Sequence, residues 1–448
     1  MEQTITECFL ENIIDFSCQE FPRDIVQTVK NCLKDYMACS MMGSFLLEEK
    51  HKDFLKVKQH NTGIASVIGL NTKTNVLTAA LLNGIQSHFI ELDDGHRFGM
   101  LHPGAPNFSA LLAVAQDRNI SFQAFIRGII VGYESTIRLA EAIQPGHKLR
   151  GYHATGTCAT VGAALGIASA LGYEPDKWNS VISAAATDSA GLLQVIDDGS
   201  ELKPYNIGRA AVAAINAAYY GKLGLKGPTD VIGGKRGFLK TLSNSMNLEY
   251  LLKDWDRYAI NGIYRKPYAA CRHTHSAIES VLNIQRKYQI AADDIESVMV
   301  NTYGLAVYGH DHKEISGAGS AKMSIPYSVA CAIVFGNVNY DRYSEECLSN
   351  PSIQKLLPKI SVAEDAELSK LVPEKRSAIV LIRTKNGEYS DRVDYPLGEP
   401  ENPMTEKDLD DKFYSLMYAS GKSRDYSDRI LFLINNLETS FNDFLLEL

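Results

Sequence analysis

The sequence predicts a mainly α-helical protein with a smaller α+β part: a large all-helical domain formed by both chain ends, and an α/β lid domain. Three observations support this fold class. Apolar residues recur with helical spacing up to about Gly262. Alternating, strand-like segments follow, and helical spacing returns after Pro403. We therefore expect residues 1–262 and 400–448 to form the helical domain and residues 263–399 to form the lid.

The first long helix is predicted to run from Pro22 to about Ser40. Apolar residues recur there at every fourth position, at Ile25, Val29, Leu33 and Met37. Proline suits the first turn of a helix because the N–H that it lacks would be unpaired there. Similar spacing predicts further helices over residues 72–87, 108–116 and 122–143.

Alanine and glycine dominate the next part of the chain, in residues 151–173, 180–193 and 208–224. Small side chains let helices approach closely, so these segments predict buried central helices. Ionisable residues at the ends of such helices therefore deserve a functional interpretation.

Strand signals appear in the predicted lid. Residues 295–303 alternate between apolar and polar, and residues 378–395 contain two such runs around Asn386-Gly387, which predicts a hairpin. The tail returns to helix, with Thr405 as the expected N-cap and Asp408 at the third helical position. We expect this tail to rejoin the first domain.

Composition excludes several classes of function. The 448 residues include 45 lysines and arginines against 53 aspartates and glutamates, whereas nucleic-acid binding needs a concentrated basic surface. There is no basic leader before an apolar stretch and no apolar run of membrane-spanning length, so we expect a cytoplasmic protein without a membrane partner. Eight cysteines without a Cys-x-x-Cys pair predict neither a disulfide framework nor a metal cluster.

Ionisable residues concentrate in four clusters. The first lies in ELDDGHRFGMLHPGAP and supplies Glu91, Asp93, Asp94, His96, Arg97 and His102. The second and third are His153 and Lys203, each just before an alanine-rich segment. The fourth is RKPYAACRHTH, residues 265–275, which contains Lys266, Arg272 and His275.

These clusters point to an anionic small-molecule substrate. Helix N-termini favour anions because their N–H groups are unpaired and the helix dipole is positive there. Two lysines, an arginine and several histidines could hold a di- or tricarboxylate if they converge. Histidine could also take or give a proton, since its ordinary pKa lies near neutrality.

Each cluster also has an ordinary interpretation. Asp93-Asp94-Gly95 is common turn chemistry, and His102 could cap a turn. His153 could be a hydrogen-bonded core histidine, Lys203 a solvated loop residue and Cys271 a buried structural thiol. A His-x-His pair at residues 273–275 lacks a third metal ligand nearby, so we predict no metal.

Six segments in order resemble the MmgE/PrpD family, which includes 2-methylcitrate dehydratase, cis-aconitate decarboxylase and iminodisuccinate epimerase. They are LDDGHRFGMLHPGAP, GYHATGTCATVGAALGIASALG, LKPYNIGRAA, RKPYAACRHTH, AKMSIPYSVA and NPMTEKDLDDKF. The resemblance covers nearly the whole chain. It implies a helical domain from both ends, an α/β lid, a homodimer, an active site between domain and lid, and catalysis without a cofactor.

Residue by residue, the resemblance assigns His102, His153, Lys203 and Lys266 to conserved family positions, with Lys266 at one proposed base of the epimerase. Tyr327 matches a tyrosine of the decarboxylase site, and Lys148 stands at the other epimerase base position. Glu91, Gly95 and Cys271 replace an aspartate, a threonine and a histidine of the decarboxylase. These differences favour another activity of the family over a true cis-aconitate decarboxylase.

We therefore predict a lyase that transfers a proton alpha to a carboxylate of a small di- or tricarboxylate. Dehydration is the first expectation, epimerisation the second and decarboxylation the third; a non-catalytic carboxylate-binding homologue is the alternative from another class. The predicted catalytic residues are His102, His153, Lys266, Asp93 and Lys203. The predicted substrate-binding residues are Glu91, His96, Arg97, Arg272, His275 and Tyr327.

Overall fold

The computed structural model describes residues 2–58, 62–196 and 200–448. Its helices of ten residues or more are numbered in chain order: α1 Ile5–Ser17, α2 Arg23–Val57, α3 Val76–Phe89, α4 Gly104–Arg118, α5 Phe122–Ile143, α6 Ala154–Ala170, α7 Pro175–Thr187, α8 Lys203–Gly221, α9 His275–Tyr288, α10 Ile325–Phe335, α11 Glu406–Ala419, α12 Arg424–Asn435 and α13 Leu437–Glu447. Shorter α-helices are Gly146–Leu149, Phe238–Leu242, Leu248–Leu252, Gly304–Val307, Ala318–Met323, Glu345–Leu348, Pro351–Leu356 and Ala366–Ser369. The predicted class, mainly α with a smaller α+β part, is confirmed.

Four helices, α3, α5, α6 and α8, form the centre of the helical part. Helix α6 is buried along its whole length and packs most extensively on α5. A Cβ atom on Gly162 would lie 2.6 Å from the carbonyl oxygen of Gly132, and one on Gly166 would lie 2.5 Å from that of Gly128. Because these distances leave no space for a side chain, the small residues are what allow the close approach.

The C-terminal helices pack on the N-terminal half of the chain. Helix α11 contacts α2, and α13 contacts α4 and α5. The side chain of Lys412 on α11 is only 8% exposed there. Its Nζ donates to Asp35 Oδ1 at 2.5 Å and to the carbonyl oxygens of Leu92 and Lys266 at 2.7 and 2.9 Å. One side chain therefore ties α2, the segment after α3 and the segment before α9 together. The predicted domain boundaries stay a prediction.

The strands of the described residues form three sheets. The first pairs β1 Ala65–Val67 with β2 Thr72–Thr74, and the second pairs β3 Gly95–His96 with β4 Ile263–Tyr264. The third has four strands, β5 Ile295–Thr302, β6 Ile360–Glu364, β7 Ala378–Thr384 and β8 Gly387–Val393. In the last sheet the order is β6-β5-β7-β8, with β5 and β6 parallel and the other pairs antiparallel. Helix α9 packs on β7 and β8, and α10 packs on α9.

Several local predictions are confirmed and some are corrected. Helix α5 has the predicted bounds, and Thr405 caps α11 in a reciprocal pair of hydrogen bonds with Asp408. The predicted start of the second helix at Thr72 is wrong, because residues 72–74 form β2 and the Asn75 side chain caps α3. The hairpin is present, but Thr384 pairs with Gly387, so its two loop residues are 385 and 386 rather than Asn386-Gly387.

Over residues 2–58, 62–196 and 200–448, no helix combines the length and the apolar character that a bilayer crossing requires.

Candidate active site

The predicted first cluster begins immediately after α3, at Glu91. Its backbone has a φ of 55°, a left-handed conformation that residues other than glycine seldom adopt. The buried carboxylate contacts the ammonium group of Lys203 at the start of α8 and lies 3.2 Å from Lys266 Nζ. Lys266 also donates to the Glu91 carbonyl oxygen at 3.0 Å. Two cations therefore hold this glutamate in its strained conformation.

His88, at the end of α3, connects Glu91 to Asp93. Its Nε2 lies 3.0 Å from Glu91 Oε1, and its Nδ1 lies 2.8 Å from Asp93 Oδ1. Burial alone would lower the pKa of His88, but the two carboxylates outweigh burial and raise it. The two carboxylates therefore favour the protonated form of His88, and the pKa values of both carboxylates are lowered despite their burial.

His102 presents a hydrogen-bond acceptor to its surroundings. Its Nδ1 lies 2.7 Å from the carbonyl oxygen of Asp94, which can only accept, so Nδ1 carries the proton in the neutral ring. The remaining nitrogen, Nε2, then has a free lone pair. Burial, followed by the nearby cations, keeps the pKa of His102 well below its ordinary value although Asp93 opposes them. The geometry therefore makes Nε2 of His102 a base.

His153 has the opposite tautomer. The amide nitrogen of Asn206 lies 3.3 Å from both His153 Nδ1 and the Leu192 carbonyl oxygen, and the carbonyl fixes which end of the amide is the NH2 group. Nδ1 of His153 accepts a hydrogen bond, so Nε2 carries the proton. Burial, then Lys203, keeps the pKa of this ring well below its ordinary value. His153 accordingly offers a neutral N–H donor.

His102, His153 and Lys203 meet at a cavity of about 80 Å³, which we call the site cavity. Its wall also includes Met100, Lys148, Tyr264, Cys271, Arg272, His273, His310, Met323 and Arg376. These residues come from the helical part and from the predicted lid. Four of the side chains are cationic: Lys148, Lys203, Arg272 and Arg376. Among the described residues of this wall, none is an aspartate or a glutamate.

Two of these cations have no carboxylate partner among the described residues. Lys148 Nζ donates to His273 Nε2 at 3.0 Å, and His273 Nδ1 donates to the Tyr303 hydroxyl at 2.7 Å. Arg376 donates to the carbonyl oxygen of Arg97 at 2.6 Å. Burial lowers the pKa of Lys148 to about 8, so it is mostly protonated at neutral pH. An anion in the cavity would compensate both charges.

A second, wider cavity of about 640 Å³ shares Ile196, Lys203 and Met323 with the site cavity. Glu91 and Lys322 also line it, and burial lowers the pKa of Lys322 to about 8. Lys203 therefore stands where the two spaces meet. A ligand that extends past Lys203 would enter the wider cavity.

Several predicted residues lie away from the site cavity. Lys266 is fully buried behind Glu91, and Asp93 reaches the cavity only through His102, 3.6 Å away. Arg97 pairs with Glu399 and Glu401. His96 accepts from the Gly99 N–H, His275 contacts Arg272, and Tyr327 donates to the Arg342 carbonyl. Direct substrate contacts by these residues stay predictions, and their observed contacts position other groups.

Sequence reasoning missed four residues of this region. His88 lies inside a helical pattern, and Arg376 lies in an unremarkable polar segment before β7, so neither carries a motif. His273 and His310 were not selected because their partners, Lys148 and Cys271, are remote in sequence. The segment EKRSAIV has two adjacent basic residues, and nothing in the sequence distinguishes Arg376 from Lys375, which pairs with Asp394 at 3.0 Å.

The ligand atoms of His88, Glu91 and His102 lie within 4.8 Å of one another, a spacing that can hold a metal ion. Glu91 already contacts two ammonium groups, and a divalent cation would be repelled by both. The present charge distribution therefore favours an anion nearby over a metal ion within this group.

Comparisons with known proteins agree with the motifs. Residues 9–251 match the family model described as the MmgE/PrpD N-terminal domain, and residues 268–437 match the MmgE/PrpD C-terminal domain. The cis-aconitate decarboxylase-like protein oryM of Aspergillus oryzae is 26% identical, covering 98% of this chain and 95% of that protein. The cis-aconitate decarboxylase of Aspergillus terreus is 24% identical, covering 90% and 87%. The mitochondrial 2-methylcitrate dehydratase of Yarrowia lipolytica is 24% identical, covering 66% and 61%.

Proposed function

Because the chain belongs to the MmgE/PrpD family, we propose that it is a lyase that removes carbon dioxide or water from a small di- or tricarboxylate. The observation that carries this proposal is the charge of the site cavity, where four cations meet and the described wall contributes no carboxylate. A buried cation without a counter-charge is costly, so a bound polyanion is the natural complement.

The pairing of the four cations supports a substrate with at least two carboxylates. Lys203 already contacts Glu91, and Arg272 already contacts Glu399 at 2.9 Å. Lys148 and Arg376 are left for substrate carboxylates, and Lys203 can contribute further N–H donors. Arg272 adds positive charge only, because its five N–H groups already donate to Glu399, His275 and the carbonyl oxygens of Pro396 and Leu397. Planar guanidinium groups suit carboxylates especially well because they can donate two parallel hydrogen bonds.

For decarboxylation, the chemistry required of the site is charge stabilisation. When the bond to the leaving carbon dioxide breaks, its electron pair stays on the substrate carbon and spreads into a neighbouring carboxylate. Cations fixed around that carboxylate lower the barrier because they need no reorganisation during the reaction. The carbon must then receive a proton, and a bound polyanion raises the pKa of His102 so that this ring can carry one.

For dehydration, the same groups would act as a base and an acid. His102 Nε2 would remove the proton alpha to a carboxylate. Lys148, whose pKa is about 8, would protonate the leaving hydroxyl, and the N–H of His153 would donate to a substrate oxygen. Asp93 would act through His102 and Glu91 through Lys203.

We place decarboxylation first and dehydration second. The decarboxylase relatives align over 90% or more of this chain, whereas the dehydratase of Yarrowia lipolytica aligns over 66%. This order differs from the sequence-based expectation, which put dehydration first. Epimerisation ranks third, because Lys148 lines the site cavity but Lys266, the second expected base, does not.

Proton NMR in deuterium oxide tests the proposal directly. The purified protein is mixed separately with cis-aconitate, 2-methylcitrate, citrate and iminodisuccinate. A new vinyl signal with carbon dioxide release indicates decarboxylation, a new vinyl signal without it indicates dehydration, and deuterium uptake without a new compound indicates epimerisation.

Variants then test the assigned residues in the same assay. We expect His102→Gln to lower kcat by roughly 100-fold or more, the usual size of a general acid–base contribution. Unchanged turnover in that variant would refute the role of His102. If the wild type changes the NMR spectrum of none of the four acids, this would count against the lyase assignment and favour the non-catalytic alternative.

We also propose a homodimer, as the family resemblance implies. Large apolar side chains are exposed on α2 and near the start of α8, at Phe45, Leu46, Leu202 and Tyr205, which supports a covered surface there. Size-exclusion chromatography with light scattering should give a molecular mass of twice 49.4 kDa for the purified protein, and the mass of a single chain would refute the dimer.

A further inference from the structure

Cys271 and His310 face the site cavity as a pair that the proposed function does not use. Sγ of Cys271 lies 3.9 Å from Nε2 of His310, and both residues line the cavity wall. Cys271 lies just before α9, and its backbone N–H donates to the Lys322 carbonyl oxygen at 2.9 Å. The thiol is therefore held at a fixed place on the wall.

The hydrogen bond on the far side of His310 decides the direction of proton transfer. Nδ1 of His310 lies 2.8 Å from the Met323 carbonyl oxygen, which can only accept, so Nδ1 carries a proton. Nε2 then has a lone pair directed to the Cys271 thiol, the arrangement in which a histidine takes the proton of a cysteine.

The charges around Cys271 support its thiolate form. Burial raises the pKa of Cys271, but His310 and then Lys203 outweigh burial, so the pKa falls to about 6. Cys158 and Cys331, which lack such a partner, have pKa values raised to about 12 by burial. The other charged or titratable groups that face Cys271 are Lys148, Glu91, Tyr264, Tyr303, His273 and Arg376.

We propose that Cys271 and His310 form a thiolate–imidazolium pair on the wall of the site cavity, and that this pair is a second proton-transfer group for the bound polycarboxylate, beside His102. The catalytic half of this inference rests on the proposed function. The thiol proton moves to Nε2 of His310 while its electron pair stays on sulfur. The pair returns that proton through sulfur to a substrate carbon, and no covalent bond to the substrate forms.

Alkylation tests the pair without any need for turnover. The full-length protein is treated with iodoacetate or iodoacetamide across a pH series, and each cysteine peptide is quantified by mass spectrometry. We expect half-maximal alkylation of Cys271 near pH 6, with exposed Cys18 as the internal reference and Cys331 unreactive. Because four cations line the cavity, iodoacetate should be favoured over iodoacetamide more at Cys271 than at Cys18.

His310→Gln is the matched variant, since a glutamine amide can still donate to the Met323 carbonyl but cannot accept a proton. If the midpoint returns to an ordinary thiol value, about 8.5, the alkylation rate at pH 7 should fall roughly 30-fold. A wild-type midpoint near 8.5, or an unchanged midpoint in His310→Gln, would overturn the pair.

Cys271→Ser tests the catalytic half. We expect kcat for the acid that the wild type converts to fall by roughly 100-fold, with KM changed much less, and the acidic limb of the pH profile near 6 to disappear. Cys331→Ser, a buried thiol outside the site cavity, should keep the wild-type profile. Full kcat in Cys271→Ser would overturn the catalytic half. Absence of wild-type turnover would refute the proposed function and this half with it, while the alkylation midpoint would still decide whether the pair exists.

Discussion

Replacing Glu91 by glutamine should destabilise the protein strongly. The carboxylate contacts two ammonium groups and one histidine, since Lys203 and Lys266 bind its oxygens and His88 Nε2 lies 3.0 Å from Oε1. Lys266 is completely buried, so it gains no water when its partner is lost. Removing one member of a buried ion pair costs about 3–5 kcal/mol, because the remaining charge is left uncompensated.

The pH dependence of this loss has a definite sign. Burial would raise the pKa of Glu91, but Lys203, His88 and Lys266 lower it well below its ordinary value. A lowered carboxyl pKa stabilises the folded state at every pH above the unfolded pKa, about 4.3. This stabilisation is lost only as the pH falls through the lower folded pKa. The difference between wild type and Glu91→Gln should therefore be largest at mildly acidic pH and shrink below about pH 4. It should also shrink as the pH rises above about 6.5, the unfolded histidine pKa, because Glu91 helps to raise the pKa of His88 in the folded state.

Urea unfolding followed by circular dichroism measures the effect. Glu249→Gln is the matched control, because Glu249 forms an exposed ion pair with Lys253 and its loss should leave the urea midpoint unchanged. A loss of less than about 1 kcal/mol in Glu91→Gln would refute the account, because it would make this buried pair no stronger than a surface one.

Three further predictions concern binding and stability. Arg376→Met should weaken binding of propane-1,2,3-tricarboxylate by roughly 10-fold or more in calorimetry, since it removes a cation without a carboxylate partner among the described residues. Arg383→Met, on an exposed part of β7, should leave the affinity unchanged. Equal affinities of wild type and Arg376→Met would show that Arg376 is not part of the site. Wild-type affinity for the same ligand should fall as the pH rises through about 8, where Lys148 loses its proton, and Lys148→Arg should abolish that fall. Thr405→Ala should lower the free energy of unfolding by about 1 kcal/mol, because it removes the cap of α11. The hydroxyl of Thr439 donates to the Asn436 carbonyl oxygen and does not cap a helix, so Thr439→Ala should cost less in the same urea assay.

Local sequence patterns were sufficient for much of the fold. Helical spacing predicted α5, a capping pair predicted the start of α11, and alternation predicted β5, because each signal depends on residues close together in the chain. The start of α3 was missed because the three residues of β2 pair with β1, a contact that helical spacing cannot detect.

The candidate site was predictable by residue type but not by contact. Histidines and lysines near the starts of α6 and α8 could be selected because helix ends favour anions. Whether a cation faces the cavity or a carboxylate depends on distant residues. Arg97 and Arg272 share Glu399, about 300 and 127 positions away, whereas Arg376 meets no acid in the described chain. Only the folded structure distinguishes these arginines.

Lys412 makes the site depend on a helix that the ribosome synthesises long after α2. Asp35 is synthesised 377 positions before Lys412, whose ammonium group binds it. The carbonyl oxygens of Leu92 and Lys266 accept hydrogen bonds from the same ammonium group. Synthesis proceeds from the N-terminus, so a nascent chain that ends before α11 has an acidic group on α2 without its cation. Burial of that face would then cost free energy. The segments that carry Glu91 and Lys266 therefore gain their shared Lys412 donor only after α11 has left the exit tunnel.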